Sequence, residues 1–184
     1  MCGRYLFWDA ENPDIKALID YAEEKLPSET ATKLSRSEAV PGSLCFSSVY
    51  HNNAMHTGIM KWGVKRNGRL VINARSETCL TSMFFYGFRP CVLPSCGYYE
   101  WDASKTKHLI KAENHKIMYL GGLYTMEEGQ PVFVIVTQPA SPSIEKIHDR
   151  QPLIFDRKHA KMWCQNASAS LYQDSLDQRI AIEI

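Results

Sequence analysis

A cysteine stands second in the chain, directly behind the initiator methionine. If Met1 is removed, which the small side chain at position 2 favours, Cys2 carries an α-amine and a thiol on adjacent carbons. Their reference pKa values are about 8 and about 8.5, so part of each group is nucleophilic near neutral pH. Such a 1,2-aminothiol condenses with aldehydes to an imine and then a thiazolidine. Taken alone, however, Cys2 is better explained as a small buried hydrophobe at the start of a strand.

Four polar motifs interrupt an otherwise strand-like chain. Each follows or precedes an apolar strand, which places its side chains at the rim of the core. They are Cys2-Gly3-Arg4, Asn73 to Thr78, Gly97 to Trp101, and His148 to Pro152. Together they supply a thiol, an amide, a carboxyl group, an imidazole and several guanidinium groups.

The elements that must position these motifs are mostly short strands. We predict strands at 3–8, 43–50, 54–62, 70–72, 89–93, 98–102, 107–112, 116–124, 132–136 and 179–184. The runs 107–112 and 116–124 are expected to pair with each other around Glu113-Asn114.

Helices are fewer. Asn12 caps and Pro13 opens a helix that ends before Pro27, and further helices fit 142–147 and 157–164. Ser76 or Thr78 could cap a short helix reaching the mid-80s, and 28–40 is predicted to be loop. This pattern predicts an α+β fold: a single β-rich domain spanning 1–184, with strands wrapping a common core and two or three flanking helices.

Composition sets further limits. The chain has 184 residues, 45% hydrophobic and 22% charged, with a formal net charge of +1, so any nucleic-acid-binding footprint is local rather than global. No apolar run approaches a membrane span of about 18 residues or more. Six cysteines show no C-x-x-C pair and no zinc pattern. We expect reduced thiols in a cytoplasmic or nuclear compartment, no membrane association, no metal and no cofactor.

The ordered motifs resemble the SOS response-associated peptidase (SRAP) family. The likeness extends over almost the whole chain and rests on these segments: Cys2-Gly3-Arg4, Lys61-Trp62-Gly63, Asn73 to Thr78, Arg89 to Trp101, Gly122-Leu123 and His148-Asp149-Arg150. The resemblance implies an SRAP-like fold and a sensor that covalently traps abasic sites in single-stranded DNA through its N-terminal cysteine. The expected partner is then single-stranded DNA with abasic sites, and the protein is expected to be a monomer. The expected location is the cytoplasm, at the nucleoid if the source is bacterial or phage, or the nucleus if the source is eukaryotic.

The resemblance assigns catalytic roles to four residues: Cys2, Asn73, Glu100 and His148. Glu100 suits general acid–base catalysis of sugar opening and imine formation, because burial beside aromatic side chains would raise its pKa. His148 could donate to the sugar oxygen or a phosphate, or hold the imine. Asn73 offers both a donor and an acceptor to orient the Cys2 amine or a sugar hydroxyl.

Contacts to the DNA strand are expected from the remaining residues of the motifs. Guanidinium groups suit phosphate, and the candidates are Arg4, Arg75, Arg89 and Arg150. Trp62 and Trp101 could stack on bases beside the lesion, and Pro41 could wedge against the neighbouring base. The family's Leu-Ile-Pro stretch after Trp62-Gly63 is replaced here by Val64-Lys65-Arg66, and Gln151-Pro152 follows the His-Asp-Arg turn where methionine is usual.

Two other classes of function stay open on the sequence alone. Cys2 with His148 and Glu100 or Asn73 could form a cysteine peptidase site, for which the only suggested substrate is the protein's own N-terminus. A non-covalent module for modified DNA or for a protein partner is the third interpretation, and steep salt dependence without an adduct would favour it.

Overall fold

The fold is a mixed α+β arrangement, as the sequence predicts. The computed structural model describes residues 2–7, 12–34, 37–112, 117–172 and 180–183. Its helices are α1 (Pro13–Lys25), α2 (Ser28–Lys33) and α3 (Arg157–Gln165), with 3-10 turns at Met83–Phe85 and Ala169–Tyr172. Its strands are β1 (Tyr5–Leu6), β2 (Glu38–Ala39), β3 (Leu44–His51), β4 (Ala54–Trp62), β5 (Val64–Arg66), β6 (Arg69–Val71), β7 (Asn73–Arg75), β8 (Arg89–Ser95), β9 (Gly97–Trp101), β10 (Lys107–Ala112), β11 (Met118–Glu127), β12 (Gln130–Pro139), β13 (Arg150–Pro152), β14 (Ile154–Phe155) and β15 (Ile180–Glu183).

The larger sheet closes on itself through β12. β12 runs parallel to β4 and antiparallel to β11, and the circuit is completed by the pairs β4–β3, β3–β8 and β8–β11. Side chains of β12 alternate between two buried clusters, as a strand's period of two requires. Phe133 and Ile135 pack in the cluster that contains Cys2 and Tyr5, whereas Val134 packs in the cluster under α3.

A second sheet, ordered β15-β10-β9-β1-β2, carries two of the polar motifs. β1 lies antiparallel between β2 and β9, with Tyr5 opposite Tyr98. Gly97 permits the close approach of β9 to β10, since a Cβ atom there would lie 2.9 Å from the Ile110 carbonyl oxygen. The start of β1 and the end of β9 therefore lie side by side.

Predictions made from local sequence signals are confirmed for two helices and one strand. Asn12 caps α1, and its Oδ1 accepts from the backbone N–H groups of Asp14 and Ile15 at 3.1 and 3.3 Å. The predicted helix at 157–164 is confirmed as α3, and the last strand as β15. No described helix is both long and apolar enough to cross a membrane.

Four predictions of local structure are wrong. The polar segment after Pro27 contains the helix α2, because its first turn and Pro27 are compatible with helix initiation. The predicted β10–β11 pair does not form, since β10 pairs with β9 and β15, and β11 with β8, β12 and β14. Residues 142–147 form hydrogen-bonded turns instead of a helix, and 76–85 form turns that end in one 3-10 turn. Glu113-Asn114 lies outside the described residues.

Candidate active site

The N-terminal motif is held in place by backbone contacts. Cys2 is completely buried, and its carbonyl oxygen accepts a hydrogen bond of 3.0 Å from Nδ2 of Asn73. The Tyr99 N–H donates to the Arg4 carbonyl oxygen at 3.0 Å, which extends the β1–β9 ladder towards Cys2. Asn73 opens β7, which is fixed beside β12 with Asn73 opposite Ile135. Two sheets thus converge on Cys2.

Glu100 lies next to Cys2 on the buried face of β9. Its side chain is only 3% exposed, and burial raises its pKa while the charge of nearby His148 opposes the rise. Burial also raises the pKa of the Cys2 thiol, and the negative charge of Glu100 raises it further. The thiol is therefore held in its neutral form, beside a carboxyl group that takes up a proton more readily than an exposed glutamate does.

His148 ends the turn between β12 and β13 and is half-buried. Its Nδ1 accepts from the Arg150 N–H at 3.0 Å and lies 2.9 Å from Oδ1 of Asp149. The structure thus brings the four predicted catalytic residues together, Cys2 touching Asn73 directly and Glu100 lying within electrostatic reach of both Cys2 and His148.

Tyr98 is a further member of this group that the sequence analysis missed. Its hydroxyl is buried and has no hydrogen-bond partner among the described residues. Burial raises its pKa, and the charges of Cys2 and Glu100 contribute in the same direction. Since Tyr98 stands two residues before Glu100 on β9, strand alternation alone could have placed it on the same face.

A charged rim borders the buried site. The Arg4 guanidinium donates to Glu38 on β2 at 2.6 Å, and the Lys107 ammonium donates to the other oxygen of Glu38 at 2.8 Å. These cations, Lys107 first, lower the pKa of Glu38. The Arg4 guanidinium also lies 5.8 Å from the ring centroid of Trp101, which is 37% exposed. Arg4 and Trp101 are therefore placed together at the surface, with Glu38 as a partner that the sequence did not reveal.

Pro41 lies in the turn that follows β2. Because β2 runs antiparallel to β1, this turn is beside the N-terminal end of β1 and hence near Cys2. The Gly42 N–H donates to the Trp62 carbonyl oxygen at 2.8 Å, which ties the turn to β4. Gly42 has a φ of 91°, a conformation that glycine adopts at little cost.

Arg150, a predicted phosphate contact, has partners inside the protein. Its guanidinium forms two hydrogen bonds with the Glu77 carboxylate and donates to the Thr137 carbonyl oxygen at 2.5 Å. β7 and β13 both pair with β12, so the two residues meet across that strand. The arginine fork is thus engaged inside the protein, whereas Arg75, two residues after Asn73, is exposed.

The Arg150–Glu77 pair predicts acid sensitivity. Arg150 lowers the pKa of Glu77 from 4.5 to about 2. Because the folded-state pKa lies below the unfolded one, the stabilisation is complete above about pH 4.5 and disappears as the pH falls towards 2. Glu77→Gln should therefore lower the midpoint of urea unfolding at pH 7. The difference in midpoint between this variant and wild type should shrink as the pH falls. An equal gap at pH 2.5 and pH 7 would contradict this role, and Glu24→Gln on the exposed face of α1 is the control.

Two predicted DNA contacts are not brought to the site. Trp62 is fully buried between Tyr5 and Phe133, and its Nε1 donates to the Ile72 carbonyl oxygen at 3.0 Å. It therefore cannot stack on a base, and that expectation is wrong. Arg89 is exposed at the start of β8, where it lines a separate cavity with Tyr50, among others.

Comparison with known proteins identifies the class. Residues 1–181 match the profile of the family described as SOS response associated peptidase (SRAP). The abasic site processing protein YoaM of Bacillus subtilis is 28% identical over 92% of this chain and 82% of its own length. The abasic site processing protein YedK of Escherichia coli is 26% identical over 89% of this chain and 79% of its own length.

Solved structures agree on the fold. A phage-related protein of Bordetella bronchiseptica has a TM-score of 0.72 at 21% identity, covering 99% of this chain and 93% of its own. A protein from Bacteroides thetaiotaomicron has a TM-score of 0.75 at 18% identity, covering 98% of this chain and 90% of its own. The chain belongs to the SRAP family, which confirms the resemblance seen in its motifs.

Proposed function

We propose that this protein recognises abasic sites in single-stranded DNA and bonds to them covalently through Cys2 after Met1 is removed. The observation that carries the proposal is the convergence of Asn73, Glu100 and His148 on the first residues of the chain. Relatives named as abasic site processing proteins support it. The localisation that follows is the compartment that holds the DNA.

The chemistry begins at the opened sugar. The neutral α-amine of Cys2 adds to the aldehyde carbon, and loss of water gives an imine. The sulfur then bonds to the same carbon while its proton passes to the nitrogen, which closes a thiazolidine. Glu100, with its raised pKa, suits a group that gives a proton to the departing water and accepts one in turn.

The neighbouring residues would orient this reaction. Asn73 holds the Cys2 carbonyl oxygen, which fixes the direction of the amine and thiol relative to Glu100. His148 would present Nε2–H to a sugar or phosphate oxygen while its Nδ1 is engaged with the Arg150 N–H. Arg4 and Trp101 at the rim would contact the phosphate and base beside the lesion.

A thiolate peptidase is less well supported by the same geometry. Such an enzyme needs a thiol of lowered pKa beside a cationic imidazole. Here burial and Glu100 both raise the pKa of Cys2. The amine-first route needs no preformed thiolate, and we therefore favour it.

The proposal is tested with one protein in two states. A removable N-terminal tag blocks the α-amine, and its cleavage leaves Cys2 as the first residue. We expect a denaturing gel to show an adduct with a single-stranded oligonucleotide containing one abasic site only after cleavage, and none with the intact oligonucleotide. An adduct of equal yield before cleavage would remove the α-amine from the mechanism.

A further inference from the structure

The hairpin β5–β6 is a basic projection of this chain. It carries Lys65, Arg66 and Arg69, and residues 65–70 are all exposed. Asn67 and Gly68 at its tip have φ values of 49° and 74°, which suits the tight turn of a two-residue hairpin. Within the part of the chain that the structure describes, its strands pair only with each other, Lys65 lying opposite Leu70. The hairpin therefore presents its side chains to solvent on both strands.

An exposed apolar turn lies against this hairpin. Met83 and Tyr86 are each 84% exposed, well above the other large hydrophobic side chains of the described chain. Behind them, Phe84, Phe85 and Phe88 pack against one another with ring centroids 4.6 to 5.8 Å apart. The turn is thus rigidly backed, and exposed apolar groups on such a support commonly mark an interaction site.

Arg66 joins the two features. Its guanidinium lies 4.1 Å from the centroid of the Phe84 ring, a stacked cation–π contact. Among the described residues, neither Arg66 nor Arg69 forms an ion pair. The acid in contact with the hairpin is Glu127, which accepts from the backbone N–H of Lys65 at 2.9 Å. We call Lys65, Arg66, Arg69, Met83 and Tyr86 the hairpin–turn surface.

This surface is connected directly to the candidate active site. Only Ile72 separates β6 from Asn73, whose side chain holds Cys2. At about 3.3 Å per residue, Arg69 lies roughly 13 Å along the chain from Asn73. Arg75, on the other side of Asn73, is exposed as well. Cationic side chains therefore flank the residue that anchors the N-terminus.

We propose that the hairpin–turn surface binds the single strand of DNA that flanks the reacting nucleotide. The arginines would pair with successive phosphates, and Tyr86 would stack on a base, the combination that sequence-independent single-strand binding uses. The location of the lesion at Cys2 rests on the proposed function, whereas the strand contact itself does not. Charge favours DNA over a second copy of the chain, because the hairpin carries three cations and none of them forms an ion pair among the described residues.

The full chain is tested for binding to a 20-nucleotide single strand that contains no abasic site. This measures the surface without any covalent step. In the double variant Arg66→Gln/Arg69→Gln, the negative slope of log K against log salt should become shallower by about 1.4, which is about 0.7 for each lost phosphate contact. Tyr86→Ala should weaken binding about tenfold and leave that slope unchanged. The matched control Lys16→Gln/Lys158→Gln removes two exposed cations from α1 and α3 and should change neither quantity.

Three results would overturn the proposal that the hairpin–turn surface binds DNA. They are an unchanged salt slope in the arginine variant, equal losses in the control, or no measurable binding of intact strand by wild type. A Tyr86→Ala variant that alters only the sedimentation coefficient would assign the patch to self-association instead. If wild type binds strands through these residues yet forms no adduct with abasic DNA, the proposed function fails and the surface stands. If it forms the adduct and the variants bind normally, the surface fails alone.

Discussion

Cys2→Ser should abolish the stable adduct with abasic DNA while leaving a reversible one. Serine keeps the α-amine and is small enough for Met1 removal, so the imine can still form. Its hydroxyl cannot replace the thiol in closing a thiazolidine. We expect the heat-resistant band on a denaturing gel to disappear, and a band to return when the imine is reduced with borohydride.

The burial of Cys2 makes the result of Cys2→Ser easy to interpret. Its side chain is in contact with the hydrophobic cluster around Tyr5, where serine is close to isosteric. Cys164→Ala changes another buried free cysteine, under α3, and serves as the control. Urea unfolding of each variant checks that the fold persists. A heat-resistant adduct of undiminished yield in Cys2→Ser would show that the sulfur takes no part.

Glu100→Gln should separate activity from stability. The amide keeps the shape of the side chain but cannot donate or accept a proton in the reaction. Loss of general acid–base catalysis typically costs about 10²- to 10⁴-fold, and we expect the crosslinking rate to fall within that range. Single-turnover rates with an excess of protein over oligonucleotide measure it directly.

The same variant should be more stable than wild type at neutral pH. Burial raises the pKa of Glu100 in the folded state above its unfolded value, so the ionised carboxyl is disfavoured in the fold. No penalty applies below the unfolded pKa, and the penalty grows as the pH rises towards and through the folded-state pKa. The urea midpoints of Glu100→Gln and wild type should therefore coincide near pH 4 and diverge at pH 7 and above.

Two outcomes would contradict a catalytic Glu100. One is a crosslinking rate unchanged by the amide, and the other is a rate loss accompanied by equal destabilisation at every pH. Glu24→Gln, on the exposed face of α1, is the matched control and should change neither property. A gain in stability with a loss of rate is the usual signature of a functional group held in an unfavourable environment.

The sequence predicts local features of this protein better than its long-range pairings. The Asn12 cap and the helix α3 follow from signals within a few residues. The β10–β11 pair was expected because the two strands are neighbours in sequence, yet they belong to different sheets. Strand partners are chosen by the whole core, and no local pattern records that choice.

In the candidate site, too, the sequence predicts residue types better than it predicts contacts that depend on the fold. Family motifs point to Cys2, Asn73, Glu100 and His148, which the fold brings together from four separate segments. Motifs alone could not distinguish a buried Trp62 from an exposed Trp101, because both residue types suit stacking. Nor could they show that Glu77 engages Arg150, since that pair forms only when β7 and β13 both join β12.

Two of the contacts that fix the start of the chain lie beyond the bond between residues 1 and 2. Asn73 grips the carbonyl oxygen of Cys2, and Tyr99 grips that of Arg4, so neither attachment uses the methionine. Under the proposed function, excision of Met1 would therefore change the chemistry of the chain end and leave both of these contacts in place. Maturation would then expose a nucleophile that the fold has already oriented.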